Sequence, residues 1–172
     1  MNFKRTRLIA LMLLLCTVTL MFSSCARDKI DKPEDTNLEY WLLDRPDKKN
    51  WILISSDCYL AAGYEAVLDE NGELIAPKFA VTYTVRRYPF TDFGIKKITN
   101  IIITDPSVYV WGLTLNSTYE EFVNVMKSKG FDLRVETKNS VEFSKERYSI
   151  VLFYNNKLVI RYHPKTIKSY IL

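Results

Sequence analysis

Apolar and polar residues alternate with a period of two through most of residues 50–163, and short turn-forming groups interrupt the alternation. Successive side chains of a strand point to opposite faces, so this period predicts half-buried strands. "NWILIS" (50–55) reads as a short apolar strand. "YLAAGYEAVL" (59–68) fits strand or helix by period alone, but the following "DENGEL" contains Asn71-Gly72, a pair favoured in tight hairpin turns. In "IAPKFAVTYTVRRY", Val81, Tyr83 and Val85 share one face and Thr82, Thr84 and Arg86 the other. Two strands joined at Asn71-Gly72 are therefore expected. "KKITNIIITDP" (96–106) predicts a fourth strand ended by Asp105-Pro106, and "VYVWGL" (108–113) a short fifth.

The period then changes. In "NSTYEEFVNVMKSKGF", Tyr119, Phe122, Val123 and Met126 fall at i, i+3, i+4 and i+7, one face of a helix. Ser117 and Glu120 have the spacing of a capping box, Lys127 and Lys129 suit the last turn, and Gly130 suits the C-terminal cap. Four strands follow: "FDLRVET", "SVEFSK", "YSIVLFY" and "KLVIRYH", the last ended by Pro164. The breaks between them are too short for crossovers, so neighbours run antiparallel. The expected fold is α+β: a mostly antiparallel sheet with one amphipathic helix, Ser117 to Lys129, packed on one face.

The first residues follow another pattern. Lys4, Arg5 and Arg7 precede an apolar run, Leu8 to Met21, and then small residues Ser23 and Ser24 lead to Cys25. Basic end, apolar middle and small residues at the cut are the layout of a secretory signal. The run falls short of the ~20 residues of a membrane span. Phe22-Ser23-Ser24-Cys25 resembles the lipobox of bacterial lipoproteins, Leu-small-small-Cys, with Phe22 in place of the usual aliphatic residue. The resemblance implies a diacylglycerol on the Cys25 thiol, cleavage just before it, and often acylation of the new amine. Its competitor is a plain secreted protein with an incidental Cys25. The expected organisation is a signal peptide (1–24), a lipidated Cys25 with a flexible polar tether (25–38), and one α+β domain (39–172). The expected place is the exported side of a cell membrane or outer membrane, with membrane lipid as the first partner. In a host with two membranes, Ala26 resembles an outer-membrane sorting signal.

A second resemblance starts from "GLTLNSTYEEFVNVMKSKGF" and the strand meander after it. Gly112, Thr114, Phe122 and Gly130 sit where SmpA/OmlA-type envelope lipoproteins and β-lactamase-inhibitor-protein repeats carry a Gly-small-Thr turn, a helix and a closing glycine. The similarity covers residues 111–163. This chain departs from those modules by having one helix where they usually have two, and four strands after it.

Composition narrows the chemistry. Three of the 24 basic residues lie in the leader against none of the 20 acidic ones, so cleavage lowers the formal charge from +4 to +1. That balance gives no reason to expect nucleic acid as a partner. Of three cysteines, Cys16 leaves with the leader and Cys25 takes lipid, so only Cys58 remains and no internal disulfide forms. Cys58, in apolar "CYLAAGY", reads as a small buried residue rather than a reactive thiol. The single histidine, His163, reads as a strand-end residue, and no G-x-S-x-G elbow accompanies it. The five glycines are too scattered for a phosphate loop, and "DENGE" (69–73) reads as a turn rather than a calcium loop. No metal site and no cofactor is expected. Asp44, Asp47, Asp57, Asp92 and Asp105 lie in or beside expected loops, the one set from which a glycan hydrolase could draw its carboxylates. Eleven tyrosines and three tryptophans, among them Trp41, Trp51, Trp111, Tyr148, Tyr154 and Tyr162, suit half-buried strand faces or a recognition surface. The expectation is a membrane-anchored lipoprotein that binds an envelope protein, or less readily a glycan, without catalysis. The alternative is an envelope hydrolase using the loop aspartates.

Overall fold

The computed structural model describes residues 30–88 and 95–163. The leader, Cys25, Ala26, the tether up to residue 29, Asp92 and Pro164 lie outside the described residues. The chain divides after Ile30, and the described residues from Asp31 onward belong to one unit.

The described residues of that unit form ten strands: β1 (Ile52–Ser55), β2 (Cys58–Leu60), β3 (Val67–Leu68), β4 (Leu74–Ile75), β5 (Val81–Tyr88), β6 (Ile95–Ile103), β7 (Asp132–Glu136), β8 (Ser140–Lys145), β9 (Tyr148–Phe153) and β10 (Lys157–Tyr162). Among the described residues there is one helix, α1 (Tyr119–Ser128), between β6 and β7. Eight strands form one sheet in the order β1-β2-β5-β6-β10-β9-β8-β7, and β3 and β4 form a separate pair. Every pairing is antiparallel. The fold is thus sheet-dominated α+β.

Register aligns the apolar positions into rows. One row runs Val81–Ile103–Leu158–Leu152–Val141 and the next Tyr83–Ile101–Ile160–Ile150–Phe143, all buried. Each such side chain contributes about 1.5–3 kcal/mol when fully removed from water. Pairing shifted by one residue would turn the whole set to the other face, so these rows fix the register. On the opposite face Thr82–Ile102–Val159–Val151–Glu142 and Thr84–Asn100–Arg161–Ser149–Ser144 are more polar. Both edge strands are bulged, β1 between Leu53 and Ser55 and β7 between Leu133 and Val135. Edge bulges twist a strand out of line for pairing with another chain.

Five expectations change. The Asn71-Gly72 turn forms, but it closes only the two-residue pairing of β3 with β4, while β2 reaches β5 independently. Asp69 tightens that turn: its carboxylate accepts from the Asn71 and Glu73 amides, each at 2.9 Å. The chain from 59 to 68 is not one strand, because it turns at Ala62-Gly63, with Gly63 at φ 89°.

Residues 108–113 form a turn rather than a strand. Val110 and Leu113 exchange backbone hydrogen bonds of 2.9 and 3.1 Å around Trp111 (φ 53°) and Gly112 (φ 73°). Two consecutive left-handed residues make a tight hairpin turn, so the alternation of "VYVWGL" reflects the turn. A bulky residue is an outlier at positive φ. Trp111 is held there edge-to-face between Trp41 (5.7 Å) and Phe131 (5.5 Å), and Phe131 in turn meets Tyr148 of β9 at 5.2 Å.

The tether is shorter than its polarity suggests. Thr36 Oγ1 donates to the Tyr109 carbonyl at 2.7 Å, the Tyr109 amide donates to Asn37 Oδ1 at 2.9 Å, and Asn37 Nδ2 donates to the Ser107 carbonyl at 3.1 Å. Pro33 and Leu38 are buried. These side chains take their partners from a distant turn, which local composition does not encode.

The helix cap moves by one residue. Thr118 is the N-cap and Glu121 completes the box, with Thr118 N donating to Glu121 Oε2 at 2.8 Å and Glu121 N to Thr118 Oγ1 at 3.2 Å. Ser117 instead accepts from the Thr114 amide at 3.1 Å. At the other end the Phe131 amide donates to the Met126 carbonyl across Gly130, whose φ is +77°, and Lys145 Nζ donates to the Lys129 carbonyl at 2.7 Å. Phe122 and Met126 are buried, whereas Tyr119 is exposed and Val123 half-exposed. The Phe122 ring lies 5.9 Å from that of Phe143 in β8.

Phe122→Ala is expected to cost about 3–5 kcal/mol, in the range for truncating a buried aromatic, read from urea denaturation. Gly112→Ala is expected to cost about 1–2 kcal/mol for the left-handed backbone alone, and the new methyl would stand 2.8 Å from an Asp35 carboxylate oxygen. An unchanged midpoint in either variant would contradict the packing described.

Candidate functional site

The buried row Phe143–Ile150–Ile160–Ile101–Tyr83 continues across β2 and β1 as Tyr59 and Leu53. Here the sheet face opens: Tyr59 is half-buried and Leu53 exposed. Trp51, just before β1, stacks on Tyr83 at 4.6 Å with the rings 8° apart. Tyr40 stands edge-on to Trp51 (5.3 Å) and to Tyr83 (6.3 Å), and Trp51 lies 6.1 Å from Tyr59. Lys48 Nζ sits 3.9 Å above the Tyr59 ring, a cation–π contact. Burial and a hydrogen bond to Glu39 push the Tyr40 phenol above its ordinary value, and burial does the same to Tyr83. Both stay neutral donors near neutral pH. The result is a half-open aromatic cluster at one end of the core.

Near this edge the β3–β4 hairpin exposes all four of its strand residues. Val67, Leu68, Leu74 and Ile75 are from 41% to 67% exposed. Phe79, after β4, is exposed as well. A lone two-stranded ribbon is marginal in water, and large apolar side chains clustered on a surface mark contact sites. Within the hairpin segment the charges are acidic, with Glu65, Glu70 and Glu73 exposed and Asp69 at the turn, and exposed Lys78 follows beside Phe79. The Glu73 and Asn71 amides hold the Asp69 carboxyl below its ordinary value, so it remains ionised.

A third region lies at the far hairpins, where Asn139, Phe153, Tyr154, Asn155 and Lys157 line a shallow hollow of about 590 Å³. Lys157 Nζ already lies 4.4 Å over the Phe153 ring.

The sequence-derived candidates scatter. Asp44 accepts from the Trp41 amide at 2.6 Å and Asp47 from the Lys49 amide at 3.1 Å. Asp105 accepts from the Ser107 amide (2.8 Å), the Ser107 hydroxyl (2.7 Å) and the Tyr64 hydroxyl (2.8 Å). Those bonds, the Ser107 hydroxyl's first, lower its pKa. Each of these three carboxylates closes its own turn. Asp57 receives the Val85 amide on its backbone carbonyl at 2.9 Å.

Cys58 lies half-buried in β2 opposite Thr84, and desolvation raises its thiol pKa. A raised pKa keeps the thiol protonated and unreactive. Trp41 is fully buried, and its indole Nε1 has no hydrogen-bond partner. Of the tyrosines, Tyr148 and Tyr162 are buried and Tyr154 is exposed. Among the described residues no three His, Cys, Asp or Glu side chains gather as a metal site. No described helix is long and apolar enough to cross a membrane.

One pairing was not legible in the sequence: His163 Nε2 lies 2.8 Å from Ser149 Oγ. The two residues are 14 apart in the chain, and the β9–β10 register, which pairs Ser149 with Arg161, brings them together. Ser149 is fully buried, so its hydroxyl has no access to a substrate. The pair fastens the end of β10.

Burial, opposed by Glu142 and assisted by Arg161 and Arg134, lowers the His163 pKa. The unfolded chain then binds this proton more tightly than the folded one, so stability falls as pH drops through the unfolded value of about 6.5 and on to the lower folded value. With one histidine in the chain, the effect is separable. The urea midpoint of the wild type is expected to fall more between pH 7.5 and pH 5.5 than that of His163→Gln; parallel pH profiles would contradict the assignment. Comparison of the chain with protein-family models, with curated proteins and with solved structures finds no significant match.

Proposed function

We propose that this chain is a lipid-anchored protein of the bacterial envelope that works by binding another envelope protein rather than by catalysis. The observation that carries the binding half is the β3–β4 hairpin, four exposed apolar residues rimmed by Glu65, Glu70 and Glu73. A surface of that kind fits a partner presenting an apolar face bordered by Lys and Arg. The open aromatic cluster of Tyr40, Trp51 and Tyr59 extends the same end of the molecule with side chains typical of contact hot spots. The use of Asp44, Asp47 and Asp105 as turn caps favours binding over a carboxylate-pair hydrolase.

The anchoring half rests on the order of residues 4–25, with Cys25 at the end of the apolar leader. The resemblance of residues 111–163 to SmpA/OmlA-type lipoproteins points to the same compartment. On this reading α1 lies against the apolar sheet face, a placement supported by the burial of Phe122 and Met126 and by the Phe122–Phe143 ring contact.

Two experiments test the halves separately. Cys25→Ala is expected to move the protein from the membrane fraction to the soluble fraction, and the mature wild type to carry the mass of acyl chains on Cys25. An unmodified Cys25, or unchanged fractionation of the variant, rejects anchoring. For binding, a photocrosslinking amino acid at Leu68 in intact cells is expected to yield a discrete heavier adduct. The same group at Leu133, an exposed apolar position on β7, is expected to yield none. Identical patterns at both sites, or no adduct at either, reject the hairpin as the docking surface.

A further inference from the structure

Three strand ends meet at one corner of the sheet. Phe153 closes β9, and its register partners are Ser140, which opens β8, and Lys157, which opens β10. Directly opposed residues share a face, so Lys157 stands beside Phe153, with its Nζ 4.4 Å over the ring. Tyr154, the next residue, meets the ring of Tyr119 in α1 edge-on at 6.5 Å. The backbone here is held by local bonds. Tyr154 N donates to the Asn139 carbonyl at 2.9 Å, and the Asn139 and Ser140 amides donate to Thr137 Oγ1 at 3.2 and 3.1 Å. Between the hairpin ends lies the hollow of about 590 Å³, within the size range of small-ligand sites.

Its lining is a specific mixture: the rings of Phe153 and Tyr154, the carboxamides of Asn139 and Asn155, and the cation of Lys157. Tyr154 is 45% exposed, and Asn139 and Asn155 are exposed. Neither carboxamide bonds a described residue through its side chain. The backbone is thus fixed while the side chains remain available. A carboxamide both donates and accepts, as a hydroxyl does. The face of an aromatic ring carries partial negative charge and attracts the positive edge of C–H groups. A sugar ring presents both features, C–H groups on its faces and hydroxyls around its rim. No carboxylate lines the hollow, and its one charge, Lys157, would pair with an acid group on the ligand.

We infer that this corner is a binding site for an acidic oligosaccharide. A nucleotide would also stack on the rings, but its phosphates would find a single lysine. A peptide strand has no edge to join here, because β8, β9 and β10 are each paired on both sides. The site uses none of the residues of the β3–β4 hairpin and stands whether or not Cys25 is acylated.

The test uses the isotope-labelled chain from residue 26 onward, which keeps the whole unit and has no acyl group. It is titrated with two acidic hexasaccharides, one of galacturonate and one alternating glucuronate with N-acetylglucosamine, and with neutral cellohexaose. At least one acidic probe is expected to shift the backbone amide signals of residues 139 and 153–157, and to bind more tightly than cellohexaose. Tyr154→Ala is expected to weaken that binding about tenfold, the loss of one ring contact. Tyr154→Phe keeps the ring and is expected to stay within about twofold of the wild type. Lys157→Gln is expected to weaken the acidic probe about threefold, as for an exposed ion pair. Lys127→Gln removes the same charge elsewhere and is expected to leave binding within about twofold. Shifts confined to other residues, or none with either acidic probe, would overturn the site. Equal losses in the two lysine variants, or cellohexaose binding as tightly as the acidic probes, would overturn the acidic class of ligand.

Discussion

The structure depends on two apolar rows that cross five strands in register, from Val81 to Val141 and from Tyr83 to Phe143. Burial on one face can be satisfied in only one register, so these rows choose the pairings before any turn or loop is considered. They also choose the topology. β10 must return to lie beside β6, which leaves β7 at the far edge. The chain between β6 and β7 therefore has to travel from the middle of the sheet to its margin, and α1 lies on that path. Buried area decreases outward from the rows: at β1 and β7 little remains to bury, and there the bulges appear.

Features with a short-range cause were legible in the sequence. Period-two alternation located β5, β6 and the last four strands because successive side chains of a strand point to opposite faces, although β7 is exposed throughout and β9 is buried on both faces. The Asn71-Gly72 turn was legible because only a few residue pairs tolerate left-handed backbone there. The capping box was misplaced by one residue because Ser117 and Thr118 are both followed at the right spacing by glutamate, and the choice falls to the Ser117–Thr114 bond. Trp111 shows the limit. A tryptophan at positive φ violates every local preference, and it holds because Trp41 and Phe131, distant in sequence, enclose it. The docking of Thr36 and Asn37 on residues 107–109 has the same non-local origin.

The candidate surfaces were less legible than the fold. The four apolar residues of β3 and β4 look in sequence like any buried strand, and only their separation from the main sheet exposes them. The opposed Arg and Lys pairs of β5 and β6 are visible as two doublets, but register is needed to set them against each other. Whole-chain charge concealed both features, because Glu65, Asp69, Glu70 and Glu73 cancel the four basic residues of the opposed pairs, Arg86–Lys97 and Arg87–Lys96. Composition is a poor guide where charge is segregated on the surface.

Segregated charge and a short leash bear on each other. With Pro33 and Leu38 buried, about eight residues separate Cys25 from the first buried position of the fold, a reach of at most about 29 Å. An unfolded tether up to residue 38 would have allowed more than half as much again. On the proposed anchoring, the domain would stay within about its own diameter of the bilayer, where screening at physiological salt removes charge effects beyond about 8 Å. Only parts brought to the surface itself would feel the headgroups. The acidic hairpin gains nothing from an anionic surface and is better placed toward a protein. An acidic hairpin turned away from the bilayer would thereby give a tethered domain an orientation as well as an address.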